Sequence, residues 1–407
     1  MIDLTKFFRF WLIGVVVSFT TVLYVFVVNG AMNAIMLAFL FTSPLLLILR
    51  YNHFQISEVP AYALILCLLF LPLYHLQTYR ISTILYSFLF IVSFITFRRV
   101  LQEGFLQRSD YLALIRFIVY AYMGVLVIQQ FSVLAHIPVF NQCWQFPNPF
   151  KLNSLALEPS HIGRILLLLS FSFMKVRSVE LGEDYKFGNN FQSDRWFWIS
   201  LGYVMLTCGS TNSLFSFLLL VLYFQRKSFL SYFPVLILAT LFLFVLLDTD
   251  WLMQNEAVQR LLKIIPATLS FDVPTIISTD LSAAARIAPP LQYIQNININ
   301  DVNFWIGNGV DYSNRTIVNF LLSRDDIEFS NAAGGLFPSF FLDYGFVSGI
   351  LFFVMLKKMA LSSLFSFETL IWITCFFAGG FNTYTQWCFF IIMTATHYFC
   401  EAKGFIA

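Results

Sequence analysis

The stretch "LEPSHIGRILLLL" brings Glu158, His161 and Arg164 to the first turns of an oily segment. Pro159 suits the first helical position, where its missing N–H removes no helix bond. Glu158 then stands at the cap, with Ser160 and His161 in the first turn. The free N–H groups and the helix dipole make such an end a natural anion site. His161 and Arg164, three residues apart, share a face. A carboxylate beside that site could act as a general base or hold a sugar hydroxyl. The plainer alternative is that Glu158 caps the helix while Arg164 snorkels to lipid headgroups.

Further polar clusters interrupt the apolar sequence, among them "GGFNTYTQ" (379–386). "CGSTNS" (208–213) offers Ser210 and Asn212. "LSAAARIAPPLQYI" sets Arg286 among small residues, where a substrate can approach and a planar guanidinium fits phosphate oxygens; pairing with Asp280 is the structural alternative. Nearby, Trp305, Tyr293 and Tyr312 are candidates for stacking on a sugar. "EFSNAAGGLFPSFFLDYGF" presents Asn331, which could hydrogen-bond a sugar or phosphate, or simply cap a turn. It also places Asp343 about two turns into an apolar helix, where a carboxylate needs a partner or a cavity. Acidic residues outnumber basic ones over 248–335, so nucleic acid is not an expected partner. No Cys/His cluster has metal-ligand spacing and no cofactor is expected. The scattered cysteines imply no disulfide framework.

The elements that must position these groups are helices in a bilayer. The 407 residues are 59% hydrophobic and 11% charged, with 50 phenylalanines. Apolar runs recur near the ~20 residues a spanning helix needs. Only helices or closed barrels satisfy their backbone within lipid, and continuous runs exclude the alternating barrel pattern. The sequence therefore predicts an all-α polytopic membrane protein of about twelve transmembrane helices. They are expected over 7–28, 31–49, 59–76, 81–97, 111–135, 161–176, 196–209, 212–225, 229–247, 336–356, 363–379 and 382–400. The first is expected to be a retained helix, because it lacks a small-residue cleavage site. Residues 1–247 form an N-terminal bundle, 248–335 a large loop with an amphipathic helix over 251–265, and 336–407 the last helices. Residues 196–225 are read as two short helices broken at "CGSTNS", flanked by Arg195, Arg226 and Lys227. Basic residues such as Arg98, Arg99, Lys357 and Lys358 gather in loops of one side, which the positive-inside rule assigns to the cytoplasm together with both termini.

The motifs together resemble the O-antigen polymerase (Wzy) family, within the wider group that includes O-antigen ligases. "EPSHIGR" is similar to the family's Glu-Pro-Ser motif, and "LTCGSTNSLFSFLLL" to its Thr/Ser segment between paired helices. "ARIAPPLQYI", "FWIGNGV" and "SNAAGGLFPSFFLDYGFVSGIL" resemble its large periplasmic loop. A histidine that ligases carry before the following helix is replaced by Ser330 and Asn331, which fits polymerases better. The resemblance implies a metal-independent inner-membrane glycosyltransferase with a GT-C-like fold, facing the periplasm. It would transfer a growing glycan from undecaprenyl diphosphate to a lipid-linked oligosaccharide repeat unit. In that picture Arg286, with Arg164, steadies the diphosphate and Glu158 activates or orients the acceptor hydroxyl. His161, Ser210, Asn212, Asn331 and Trp305 line the substrate site. A chain-length regulator protein is an implied partner. An O-antigen ligase, or another polyprenyl-phosphate-dependent transferase, is the nearer alternative. A flippase for the same lipid-linked unit is the further one; it predicts an internal repeat, and none is evident.

Overall fold

The computed structural model describes residues 3–22, 33–51, 53–141, 148–225, 263, 266–279, 281–313, 335–376 and 379–401. The regular elements among them are all helices: α1 (Leu4–Thr20), α2 (Ala34–Arg50), α3 (Val59–Phe70, prolonged by a 3₁₀ stretch, Leu71–Thr78), α4 (Ile81–Gln102), α5 (Arg108–Leu134) and α6 (Pro159–Leu181). A short α7 (Phe187–Asn190) precedes α8 (Arg195–Thr207) and α9 (Thr211–Gln225). Then come α10 (Val273–Thr279), α11 (Leu281–Gln295), α12 (Val302–Ile306), α13 (Leu336–Met359), α14 (Phe367–Phe376) and α15 (Tyr384–Glu401). Among the described residues, four stretches are long and apolar enough to cross a membrane: Ile56–Gln77, Ile81–Gln102, Arg108–Leu134 and Leu336–Met359. That is the pattern of a multi-pass membrane protein. The helix expected over 229–247, and most of the one expected over 251–265, lie outside the described residues.

Local chemistry explains many of the boundaries. Asp3 caps α1, its carboxylate accepting from the Thr5 and Lys6 N–H groups. Asn33 caps α2 through Met36 N–H and donates back to the carbonyls of Ser18 and Thr21 at 3.0 and 2.9 Å, tying the end of α1 to the start of α2. Hydroxyls inside the apolar helices turn to carbonyls four residues back, as Thr20 does to Val16 at 2.7 Å and Thr96 to Val92 at 2.8 Å. This removes the penalty of an unpaired polar group.

The most enclosed helix is α15, buried along nearly its whole length. Trp387 stacks on Phe90 of α4 and Phe390 lies edge-on to Phe94. Paired contacts fix helix direction. His161 meets Tyr384 near the starts of α6 and α15, and Ser172 meets Thr396 a few turns on, so the two helices run parallel. Ser87 with Asn382, Ser213 with Pro159, and Thr394 with Met359 align α4, α9 and α13 with them. These five helices begin at one end of the bundle, here called the upper end.

The lower end holds the ion pairs Arg9–Asp110, Arg50–Glu103 and Arg99–Glu58. The last is fully buried, Arg99 also donating to the Tyr51 carbonyl at 3.0 Å. Removing one partner of such a pair strands the other charge and costs about 3–5 kcal/mol.

Over 336–356 the structure corrects the expectation of an unbroken helix. At Gly345 α13 leaves helical geometry (φ 76°, ψ 174°). The loop after α12 docks into that break. Asn308 and Gly309 donate N–H bonds to the carbonyls of Leu342 and Asp343 at 2.8 and 3.2 Å. A side chain at Gly307 or Gly345 would stand 2.3 Å from the backbone opposite, so neither position has room for one. Asp343, 9% exposed, accepts from Ser313 N–H at 2.7 Å, the bonding partner that its place in an apolar helix demands.

Much of the expected 248–335 loop is likewise structured, with α10, α11 and α12 inside it. His75 pins it from α3: Nε2 lies 3.1 Å from both Asn303 Oδ1 and the Gly307 carbonyl, so Nε2 carries the proton. Arg80 and Thr83 hold Asp311 at 3.1 and 3.2 Å.

Candidate functional site

Glu158 is the N-cap of α6, with extended backbone (φ −139°, ψ 155°), and Pro159 opens the helix. Its carboxylate makes no capping bond to the helix; instead it accepts from the Ser160 hydroxyl at 3.0 Å. The half-buried carboxylate therefore sits at the mouth of α6 without being consumed by the helix end.

Behind it lies a polar network centred on a tyrosine. The Tyr384 hydroxyl, at the start of α15, accepts from Leu157 N–H at 3.1 Å and bonds His161 Nδ1 at 3.0 Å. The histidine ring packs edge-on to the tyrosine. His161 is thus a positioning group that ties the mouth of α6 to α15.

One turn deeper, Arg164 is 4% exposed. It lines a cavity of about 250 Å³ between α6, α9 and α14, together with Asn212, Ser216 and Thr374. Asn212 and Ser216, four residues apart, lie on one face of α9. The Ser216 hydroxyl is buried and has no hydrogen-bond partner among the described residues, a rare condition that marks a place where a ligand or water can bond. Beside the cavity α6 and α9 touch at Gly163, where an added Cβ would fall 2.4 Å from Ser213 Cα. A cation, a carboxamide and an open hydroxyl on one cavity form a donor set suited to phosphate oxygens.

Ser210, 9% exposed, sits in the break between α8 and α9, where its carbonyl accepts from Ser213 and Leu214 N–H. The break falls where "CGSTNS" places it. Glu158, His161, Arg164, Ser210 and Asn212 are therefore brought together at the upper end. Trp305 reaches the same end by another route: its indole N–H donates to the Ile299 carbonyl at 2.9 Å and its ring meets Phe346 edge-on. The chain Asp311–Thr83 and Ser87–Asn382 links that region to the start of α15. For Arg286 only the helical backbone of α11 is described; its side chain and all of Asn331 lie outside the described residues.

Tyr384 and Ser216 are the residues that local motifs do not single out. Tyr384 stands in "GGFNTYTQ", a polar stretch opening an apolar helix, and that position is its signal. Ser216 has only its spacing from Asn212. A larger cavity of about 710 Å³ lies at the lower end among Phe187, Trp198 and Phe224, away from all of these groups. No protein-family model, curated protein or solved structure matches the chain.

Proposed function

We propose that this chain is an integral glycosyltransferase of the O-antigen polymerase kind, in a bacterial inner membrane with its upper end facing the periplasm. The observation that carries the reading is one cavity shared by buried Arg164, Asn212 and a Ser216 hydroxyl with no partner among the described residues, one turn below the α6 mouth that holds Glu158. A recessed cation and a half-buried carboxylate at one helix start suit an anionic leaving group and a sugar nucleophile. The basic lower end supports a cytoplasmic placement of both termini.

In this reading the acceptor hydroxyl on a new lipid-linked repeat unit attacks the anomeric carbon of the growing glycan. The bond from that carbon to the phosphate oxygen breaks, and its electron pair leaves on undecaprenyl diphosphate. Glu158 takes the hydroxyl proton. Arg164, with Asn212 and Ser216, holds the departing diphosphate; Arg286 and Asn331 keep the roles that the family resemblance assigns them. A positioned general base contributes about 10²–10⁴-fold.

The surface-glycan ladder of a deletion strain tests this. Complementation with the native chain restores polymer, while Glu158→Gln, at matched membrane levels, leaves single-repeat products. Unattached polymer in the deletion strain would indicate a ligase, and loss of all lipid-linked product on the outer side a flippase. A full ladder without the protein would sink the reading.

A further inference from the structure

A second cavity at the upper end, about 450 Å³ between α11, α12 and α13, has a different chemistry. Its size is that of a small-molecule site, roughly 300–1,000 Å³. Five carboxamides line it, Gln292, Asn296, Asn298, Asn303 and Asn308, with one carboxylate, Asp301. Four of the five are bonded to the protein at one end. Asn296 and Asn308 donate through Nδ2 to the carbonyls of Gln292 and Leu342 at 2.8 and 3.2 Å. Asn298 accepts from Asn300 N–H, and Asn303 Oδ1 meets His75. These bonds fix each group while leaving an opposite donor or acceptor for a ligand. Aromatic faces complete the lining. Tyr293 is held edge-on by Phe337 and Phe304 stacks on Phe346, so the rings are set before any ligand arrives.

We infer that this cavity binds a neutral sugar of the glycan chain, at a subsite separate from the Arg164 cavity. Alternating donors and acceptors match the hydroxyls of a pyranose, and the aromatic faces match its C–H surface. Among the described lining residues there is no Lys, Arg or His, and Asp301 repels anions. Diphosphate and sugar thus have different addresses on one face of the molecule. The subsite takes its role in polymerisation from the function proposed above, but its binding chemistry stands independently.

The test uses the full chain in lipid nanodiscs, applied to an array of neutral and acidic oligosaccharides. The native protein is expected to retain neutral glycans over acidic ones. Asn296→Ala and Asn298→Ala, at exposed positions, are each expected to weaken retention about tenfold, the scale of one good hydrogen bond. Asn300→Ala, outside the lining, is expected to bind as the native chain does. Absence of neutral-glycan retention above empty nanodiscs overturns the proposal, as does native retention in both lining variants. A ladder lost on deletion, with retention indifferent to the lining substitutions, overturns the sugar subsite alone. Retention weakened tenfold by those substitutions, beside a ladder indifferent to deletion, supports the subsite and overturns the polymerase reading.

Discussion

The Tyr384 hydroxyl holds two groups at once, the Leu157 N–H that precedes the mouth of α6 and His161 within its first turn. Removing that oxygen takes a bonding partner from a partly buried N–H and from a buried ring nitrogen, at up to about 1–3 kcal/mol for each group left unsatisfied. Tyr384→Phe is therefore expected to lower the melting temperature and to slow glycan transfer about tenfold through misplacement of Glu158. Thermal melts paired with rate assays check this, and native rates in the variant would show that the network does not position the carboxylate. Glu158, His161 and Arg164 are legible in the sequence because one helix start carries all three. Tyr384 is not, since it lies 223 residues beyond His161 and only packing joins them. Trp305 shows the converse. Its aromatic ring suggests a sugar platform, and the structure adds that its indole N–H holds the Ile299 carbonyl while the ring, 40% exposed, meets Phe346 of α13 edge-on.

Helix contacts set the shape of the Arg164 cavity. Because α6 and α9 approach so closely at Gly163, a methyl there collides with Ser213 backbone as well as its hydroxyl. Gly163→Ala is expected to cost about 1–3 kcal/mol, the range for overpacking, and to separate Arg164 from Asn212 and Ser216. A lowered melting temperature with a loss of transfer greater than the loss of folded protein is the expected result; a variant with native stability would contradict the contact. Most helix positions were readable from apolar runs, and so was the α8–α9 break, whose polar residues interrupt one. The break in α13 was not, because hydropathy over 336–356 carries no record of backbone direction. Its physical traces are Gly345 and the Gly-x-Gly turn at 307–309, which only matter once packed against each other. Residues 281–295 were hidden for the opposite reason: Pro289 and Pro290 argue against a helix, yet α11 runs through both.

The two ends of the bundle differ in chemistry. The Glu158 mouth, the Arg164 cavity and the carboxamide cavity share the upper end, while the basic loops gather at the lower end. In a variant with the six natural cysteines replaced, Asn300→Cys is expected to react in intact cells with a maleimide that cannot cross membranes. Ser363→Cys, in the loop after α13, is expected to react only after permeabilisation; the reverse pattern would invert the orientation. The most direct test of the polymerase account is reconstitution of the purified chain in liposomes with an undecaprenyl-diphosphate-linked repeat unit as the sole sugar source. The account predicts products longer than one repeat, release of undecaprenyl diphosphate in step with each added repeat, and loss of both in Glu158→Gln. Products that remain one repeat long with the native protein, or extension that Glu158→Gln performs equally well, would contradict it.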